Sequence, residues 1–150
     1  MQLTQPDTAT TPVTHRTLSR VLIAAIVALI LATAYIHLGL GGLLFTLNAA
    51  GYAALAAAMV VVALVSHPLV RRFDWLPRIG LAGYTATTIG AYLVMGPYFS
   101  LGWVAKGIEV GILTLLLVDA YLTYGSPAGL IRAALASVGL ADRSRPMDVA

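Results

Sequence analysis

Residues 106–124 read KGIEVGILTLLLVDAYLTY, a run long and apolar enough to cross a lipid bilayer as one helix. The run nevertheless contains two carboxylates, Glu109 and Asp119. An ionisable group at mid-depth in a membrane costs about 2.5–3.5 kcal/mol on insertion scales, and it normally faces a bundle interior or a cavity. We therefore expect this helix to lie inside a bundle, where other apolar segments shield both carboxylates from lipid.

The composition of the whole chain also indicates a membrane protein. Of its 150 residues, 59% are hydrophobic and 10% are charged, whereas soluble domains average about 25% charged residues. The length suits one compact bundle. The sequence contains no cysteine, which excludes disulfides, thiolate metal sites and thiol catalysis. No basic run is dense enough to indicate binding of nucleic acid.

The apolar runs and their interruptions predict an all-α, polytopic membrane protein, a four-transmembrane-helix antiparallel bundle. No Lys, Arg, Asp or Glu occurs from Val21 to Val70, so this stretch is long enough for two spans joined at the GLGG sequence of residues 39–42. The predicted transmembrane domain covers residues 20–125, with helices at about 20–38, 43–66, 78–96 and 103–124. In the third helix, Gly80, Gly83, Thr87 and Gly90 form a face of small residues that favours close helix packing.

The two flanking segments are predicted to lie outside the membrane. Residues 1–19 are rich in Thr, Pro and Gln and predict a disordered cytoplasmic N-terminus. Residues 126–150 predict a cytoplasmic tail. Within the tail, Ser126-Pro127 is typical of a helix N-cap followed by proline at the first helical position. The spacing of apolar residues after it predicts a short helix, which lies on the membrane surface or is an ordinary tail helix.

The arginines predict the orientation. They precede the first helix, separate the second from the third and follow the fourth, so four spans place all of them on one side. The positive-inside rule makes that side cytoplasmic, with both termini in the cytoplasm and the chain in the cell membrane. These residues are Arg16, Arg20, Arg71, Arg72, Arg78, Arg132, Arg143 and Arg145.

A second interpretation of the first apolar run is a cleaved signal peptide. Arg20, the apolar stretch after it and the sequence Ala32-Thr33-Ala34 match the pattern of a cleavage site. Cleavage after Ala34 would leave three spans. We favour an uncleaved helix, because the apolar run continues past the site.

Four polar side chains, one from each predicted helix, fall in the outer third of the bundle: His37, Asn48, Tyr92 and Glu109. Sequence gives their depth at 1.5 Å per residue but not their direction, so their convergence is a hypothesis. A carboxylate at that depth needs donors, which the other three residues could supply. The favoured interpretation is that they lock the bundle by hydrogen bonds. The alternative is a ligand or proton site that handles a proton, an ion or a small polar ligand.

Asp119 lies about 15 Å below Glu109 along the same helix. We expect it to form a structural ion pair with Arg78, although Arg72 could also reach it by snorkelling. The alternative is a proton path between the two carboxylates. Such a path needs polar groups between them, and the helix offers only Thr114 there.

The sequence predicts no catalytic residue, no metal site and no cofactor. It contains no nucleophile–base arrangement, phosphate-binding loop or metal-ligand spacing. One histidine and one carboxylate are too few ligands for zinc or copper. His37 and His67 lie at opposite ends of the first two helices, which disfavours a haem held by two histidines.

Several short motifs carry a resemblance to a known group of proteins. They are YIHL at residues 35–38, LFTLNAAG at 44–51, GAYLVMGPYFSLGW at 90–103, and Glu109 in the next helix. Over residues 21–124 the chain resembles an uncharacterised family of small four-helix integral membrane proteins from actinobacteria and related phyla. The resemblance implies no substrate. It does imply that His37, Asn48 and Glu109 belong to one outer cluster, although this chain has a much shorter segment between His37 and Leu44.

These observations favour a small non-catalytic subunit or accessory protein that packs against partner membrane proteins. The alternative is a binding or transport-related oligomer whose outer pocket contains His37, Asn48, Tyr92 and Glu109. A membrane enzyme is the weakest hypothesis. The expected partners are the lipid bilayer and either another membrane protein or further copies of this chain, and no nucleic acid.

Overall fold

The computed structural model describes residues 12–140, with side chains from Thr17 onward. Helices make up 87% of this part, and it contains no strand, so the all-α prediction is confirmed. Residues 1–11, predicted to be disordered, and Arg143 and Arg145 in the tail lie outside the described residues. The helices are α1 (Pro12–Leu40), α2 (Leu43–Leu64), α3 (Pro68–Arg72), α4 (Trp75–Met95), α5 (Ser100–Tyr124) and α6 (Pro127–Ser137).

Local capping explains where several helices begin. His67 precedes the five-residue helix α3, which the sequence analysis did not anticipate; its Nδ1 accepts a hydrogen bond from the Leu69 amide at 3.3 Å, and Pro68 occupies the first turn. The Ser126 hydroxyl caps α6 in the same way, accepting from the Gly129 amide at 2.9 Å. Helix α1 begins at Pro12, so residues 12–19, expected to be disordered, continue the first apolar helix toward the N-terminus.

Three of the helices are long and apolar enough to cross a membrane, namely residues Thr17–Leu40, Leu43–Leu64 and Ser100–Tyr124. This composition indicates a membrane protein. Helix α4 has 21 residues and is long enough, but its glycines and threonines make it less apolar than the other three. Length and composition therefore identify three candidate spans among the described residues, one fewer than expected.

The four long helices are arranged so that each packs against two others. Helix α1 packs along α2 and α5, and α4 packs against the same two helices from the other side. Gly41 and Gly42 join α1 to α2 with φ values of 70° and 84°, a left-handed conformation that glycine adopts without strain. We call the end that contains this turn and the α4–α5 connection the upper end. The lower end contains α3 and α6, and α6 packs against α4 and α5.

The buried face of α1 changes from apolar to polar along its length. Ile23, Ile26 and Ile30 are buried at intervals of three or four residues, the spacing of one helix face. Thr33 and His37 continue the same face toward the upper end, and both are also buried. The same face of α1 therefore packs apolar side chains into the core in the middle of the helix and places polar side chains in the interior at the upper end.

Helix α5 follows the same plan and is polar at both ends. Ile112 and Leu116 are buried in the middle, Lys106 and Glu109 are buried toward the upper end, and Asp119 is buried toward the lower end. Tyr52 and Met59 of α2 and Leu81 of α4 complete the apolar middle layer. The carboxylates of Glu109 and Asp119 thus lie above and below a hydrophobic core.

The outward surface of the helices is itself apolar, as a lipid environment requires. Tyr35, Leu64, Val94 and Leu117 are among the exposed large side chains. The small residues of α4 contribute little to packing within the chain: a Cβ atom added at Gly83 or Gly90 would meet nothing within 4 Å. This face is therefore open in the described part of the chain.

Candidate functional site

Glu109 lies at the centre of a polar cluster and has 0% of its surface exposed. Its Oε2 accepts hydrogen bonds from Lys106 Nζ at 2.5 Å and from the Thr88 hydroxyl at 3.0 Å. Its Oε1 accepts from the Thr33 hydroxyl at 3.3 Å and lies 3.8 Å from His37 Nε2. The carboxylate therefore joins α1, α4 and α5. We call Glu109 and these four residues, together with Tyr52, the upper cluster.

The hydrogen bonds of His37 determine where one of its protons lies. Its Nδ1 is 2.8 Å from the Thr33 carbonyl oxygen, which can only accept, so Nδ1 carries a proton. The other nitrogen, Nε2, faces Glu109 at 3.8 Å. A neutral His37 therefore turns an unprotonated nitrogen toward the carboxylate, whereas a charged His37 forms a second ion pair with it.

Tyr52 and Thr88 extend the cluster into α2 and α4. The Tyr52 hydroxyl lies 2.8 Å from the Thr88 hydroxyl. A hydroxyl has one proton to donate, so when Thr88 donates to Glu109, Tyr52 donates to Thr88. One turn earlier, the fully buried Thr85 hydroxyl has no hydrogen-bond partner among the described residues. All four long helices thus contribute to one connected network around Glu109.

A pocket of about 370 Å³ lies directly above this cluster at the upper end. This size is within the range of small-molecule sites. His37 and Lys106 form part of its floor, and Glu109 is covered by them. The walls are mostly apolar. They include Leu40, Leu44, Phe45, Leu47, Tyr84, Ala91, Met95, Pro97 and Phe99.

Three of the four side chains predicted to converge, His37, Asn48 and Tyr92, line this pocket. The fourth, Glu109, lies beneath it. Asn48 and Tyr92 do not bond to the carboxylate as the sequence analysis expected. The Asn48 side chain makes no hydrogen bond to any residue that the structure describes, and the Tyr92 hydroxyl donates to the Phe99 carbonyl at 3.3 Å. Both residues are half-buried in the wall of the pocket, a turn or more above the carboxylate.

Threonine hydroxyls supply the donors that were expected from Asn48 and Tyr92. Thr33 and Thr88 each lie four residues before a residue that the sequence analysis selected, His37 and Tyr92 respectively. Residues four apart share a helix face. Searching one turn below each selected polar residue would have found both threonines.

Aromatic side chains close the upper end beside the pocket. The Tyr92 ring packs edge-on against Trp103, with centroids 5.5 Å apart, and Lys106 Nζ lies 5.5 Å from the centre of the Tyr92 ring, within the range of a cation–π contact. Gly102 makes room for this ring, because a Cβ atom there would lie 2.5 Å from the Tyr92 hydroxyl. Tyr98 adopts a φ of 47°, uncommon for a residue with a side chain, and stacks on Trp103.

A second ionic cluster lies at the lower end, where the sequence analysis expected a structural ion pair. Arg78 Nε donates to Asp119 Oδ2 at 2.5 Å, and both residues are buried. Arg78 also donates to the Asp74 carbonyl at 2.7 Å, and the Tyr124 hydroxyl donates to the Asp74 carboxylate at 2.8 Å. Arg72 instead donates to the Ser137 carbonyl and so ties α3 to α6. These bonds join the end of α4 to that of α5, and α3 to the end of α6.

The described residues contain no group of three or more His, Cys, Asp or Glu side chains that could hold a metal ion. The polar atoms of the upper cluster are instead a carboxylate, an ammonium, an imidazole and hydroxyls, which suit hydrogen bonding and proton transfer.

The fold and the site define an all-α protein with three candidate membrane spans and a buried ionic cluster beneath a mostly apolar pocket. No family model, curated protein or solved structure matches the chain. The resemblance to small four-helix membrane proteins therefore stays a prediction from the motifs quoted above.

Proposed function

We propose that this chain is a membrane protein that binds a small molecule in the upper pocket. The observation that carries the proposal is the position of the Lys106–Glu109 ion pair, buried directly under a pocket of about 370 Å³. The sequence alone favoured an accessory subunit and gave a binding protein as the alternative, and the pocket reverses this order. No catalytic role is assigned to any residue.

A purely structural role accounts less well for the upper ion pair. Desolvation makes a buried ion pair no more stabilising than well-packed apolar residues of the same volume. Ionisable residues within a membrane therefore indicate a functional site by default. The lower pair, Arg78–Asp119, ties helix ends together, whereas Lys106 and His37 also line a pocket.

The proposed arrangement has four membrane spans, with α4 as the third. Helix α4 has 21 residues, a length of about 32 Å at 1.5 Å per residue, which matches a hydrocarbon core of about 30 Å. Its neighbours α2 and α5 are both candidate spans. The arginines near the lower end support a cytoplasmic location for that end, so the upper pocket opens toward the outer side of the cell membrane.

The test compares what the protein retains after gentle extraction from its native membranes. We expect native mass spectrometry to detect a small molecule on the wild-type chain. An Ala91→Trp substitution in the pocket wall should fill the pocket and remove the bound molecule from a folded protein. The matched control is Ala54→Trp, at an exposed position of α2 that does not line the pocket. Equal retention by the two variants would contradict the proposal.

A second candidate function, the accessory subunit, is favoured by the open face of α4. Gly83 and Gly90 leave room there for a helix from another chain. The same extraction distinguishes the two functions. Foreign subunits in fixed ratio, without any small molecule, would favour the accessory subunit, and a homo-oligomer with a bound molecule would favour the binding protein.

A further inference from the structure

We infer that the upper pocket selects a ligand with an uncharged, hydrogen-bonding head, such as a hydroxyl or carbonyl group, attached to an apolar chain or ring. This inference deepens the proposed function and rests on it. It follows from the charge of the floor, from the hydrogen-bonding groups that remain free in the pocket and from the character of the walls and rim.

The floor of the pocket carries balanced charge. The Lys106 ammonium and the Glu109 carboxylate are 2.5 Å apart and nearly fully buried, so the two charges of this pair cancel. An anionic head would compete with Glu109 for Lys106, and a cationic head would be repelled by Lys106. Either would also lose its own hydration without a counter-charge. The floor therefore disfavours a charged head of either sign.

Two groups on the pocket surface keep hydrogen-bonding capacity for a ligand. An ammonium has three N–H donors, and Lys106 uses two of them, toward Glu109 and toward the Thr88 carbonyl at 3.3 Å. The Asn48 side chain offers two donors and one acceptor and bonds to no described residue. A hydroxyl or carbonyl oxygen can accept from either group, and a hydroxyl can also donate to the Asn48 oxygen.

The polar side chains that α4 contributes to the pocket, namely Tyr84, Thr87, Thr88 and Tyr92, are already engaged within the chain. The Tyr84 hydroxyl donates to the Asn48 backbone carbonyl at 3.2 Å, and the Thr87 hydroxyl donates to the Gly83 carbonyl at 2.8 Å. The pocket therefore offers few hydrogen-bonding groups, enough for a small polar head. A large polar ligand, such as a sugar, would leave most of its hydroxyls against apolar walls without partners.

The rim of the pocket, formed by Leu44, Leu47 and Met95, indicates the route of access. These side chains are 75%, 59% and 78% exposed, and they lie on α2, a candidate span, and on α4, the proposed third span. An apolar rim of this kind is favourable for a chain that arrives from the lipid phase. The head then reaches the polar floor while the apolar part stays between the walls.

The experiment uses three photoreactive probes in nanodiscs that contain the full chain. The probes share a ten-carbon tail with a terminal diazirine and differ in the head, which is an alcohol, a carboxylate or a trimethylammonium group. Mass spectrometry maps labelled residues. For each probe, the corrected rim labelling is the labelling of the rim residues divided by that of the exposed α5 residues Val110 and Leu117. This ratio corrects for the different concentrations of the probes in the membrane.

We expect the alcohol probe to give the highest corrected rim labelling, and excess decanol to suppress it. Asn48→Leu should lower that labelling about fivefold or more, the effect of losing one neutral hydrogen bond. The matched control is Thr46→Val, which removes an exposed hydroxyl two residues away that does not line the pocket. A diacylglycerol that carries the same diazirine is compared with the alcohol probe to identify the source of the head group. Stronger rim labelling by the diacylglycerol indicates a glycerolipid, whereas stronger rim labelling by the alcohol indicates a single-chain molecule.

The outcomes separate this inference from the proposed function. Stronger rim labelling by the carboxylate or the trimethylammonium probe, suppressed by its own unlabelled analogue, would overturn the neutral head while the pocket remains a binding site. If no probe labels the rim in a way that an unlabelled analogue suppresses, both the inference and the proposed function are wrong. Equal labelling of wild type and Asn48→Leu by the alcohol would remove Asn48 from head recognition and overturn the assignment of the head site.

Discussion

Glu109 divides its two oxygens between two kinds of partner, and this division determines what each partner contributes. One oxygen faces the ammonium of Lys106 and the hydroxyl of Thr88, and the other faces the hydroxyl of Thr33 and the ring of His37. Removing the negative charge leaves the Lys106 ammonium buried without a counter-charge. Removing one hydroxyl leaves the ion pair in place. The two kinds of substitution should therefore differ in cost.

The first prediction concerns the ion pair. Glu109→Gln should lower the free energy of unfolding by about 3–5 kcal/mol, because Lys106 is then buried without its partner. Combining it with Lys106→Met should recover most of the loss, since the double variant buries no unpaired charge. Denaturant titrations in mixed micelles, followed by circular dichroism, measure Glu109→Gln, Lys106→Met and the double variant. A double variant whose loss equals the sum of the two single losses would show that the residues do not interact.

The second prediction compares two threonines on one face of α4. Thr88→Val should lower the free energy of unfolding by about 1–3 kcal/mol, because both Glu109 and Tyr52 lose a partner. Thr85→Val removes a buried hydroxyl that has no partner among the described residues, so it should be neutral or stabilising. The same denaturant titrations measure both. A loss at Thr85 as large as that at Thr88 would mean that the Thr85 hydroxyl is bonded in the folded protein.

Sequence reasoning reached part of this site, and the limit has a physical cause. The depth of His37, Asn48, Tyr92 and Glu109 followed from the rise per residue, and three of them line one pocket above the fourth. The direction of each side chain around its helix depends on how four helices pack together, which one sequence does not give. The threonines were missed for a related reason, because their hydroxyls look ordinary in an apolar helix until a carboxylate is placed beside them.

At the scale of the elements, the positions of most helices and turns were predicted from the hydrophobic pattern and from the glycines and prolines that interrupt it. The GLGG sequence predicted the turn between the first two helices, and the structure has Gly41 and Gly42 between α1 and α2. Helix α4 was harder, because its glycines and threonines lower its hydropathy below that of its neighbours. The sequence could not distinguish glycines that allow close contact from those on an open surface. The structure separates these two groups.

The third prediction tests this separation on two helical glycines. A Cβ atom at Gly51 would overlap the Tyr84 hydroxyl, so Gly51→Ala should displace that ring and cost about 1–3 kcal/mol of unfolding free energy. Gly83→Ala meets nothing within 4 Å and should gain about 0.5–1 kcal/mol from lower backbone freedom in the unfolded chain. Thermal unfolding of the two variants in the same detergent provides the comparison. A stabilising Gly51→Ala would show that Tyr84 has another position available at no cost.

At the scale of the whole molecule, the number of membrane crossings determines which side the upper pocket faces. Helices α1, α2 and α5 qualify as spans by length and composition, and α4 connects the end of α2 to the start of α5. If α4 crosses the membrane, the residues before α3 and those at the start of α5 lie on opposite sides. If α4 does not cross, they lie on the same side. A four-span chain would also place its arginines on one side, as the positive-inside rule requires.

The fourth prediction uses the lack of native cysteine to measure this arrangement. Ser66→Cys and Ser100→Cys introduce single thiols at two exposed serines on either side of α4. In intact cells, we expect a membrane-impermeant maleimide to label Ser100→Cys and to label Ser66→Cys only after permeabilisation. Equal labelling in intact cells would show that α4 does not cross. The reverse pattern would place the upper end in the cytoplasm, and because Ser100 directly follows the pocket residue Phe99, the upper pocket would then open on the cytoplasmic side.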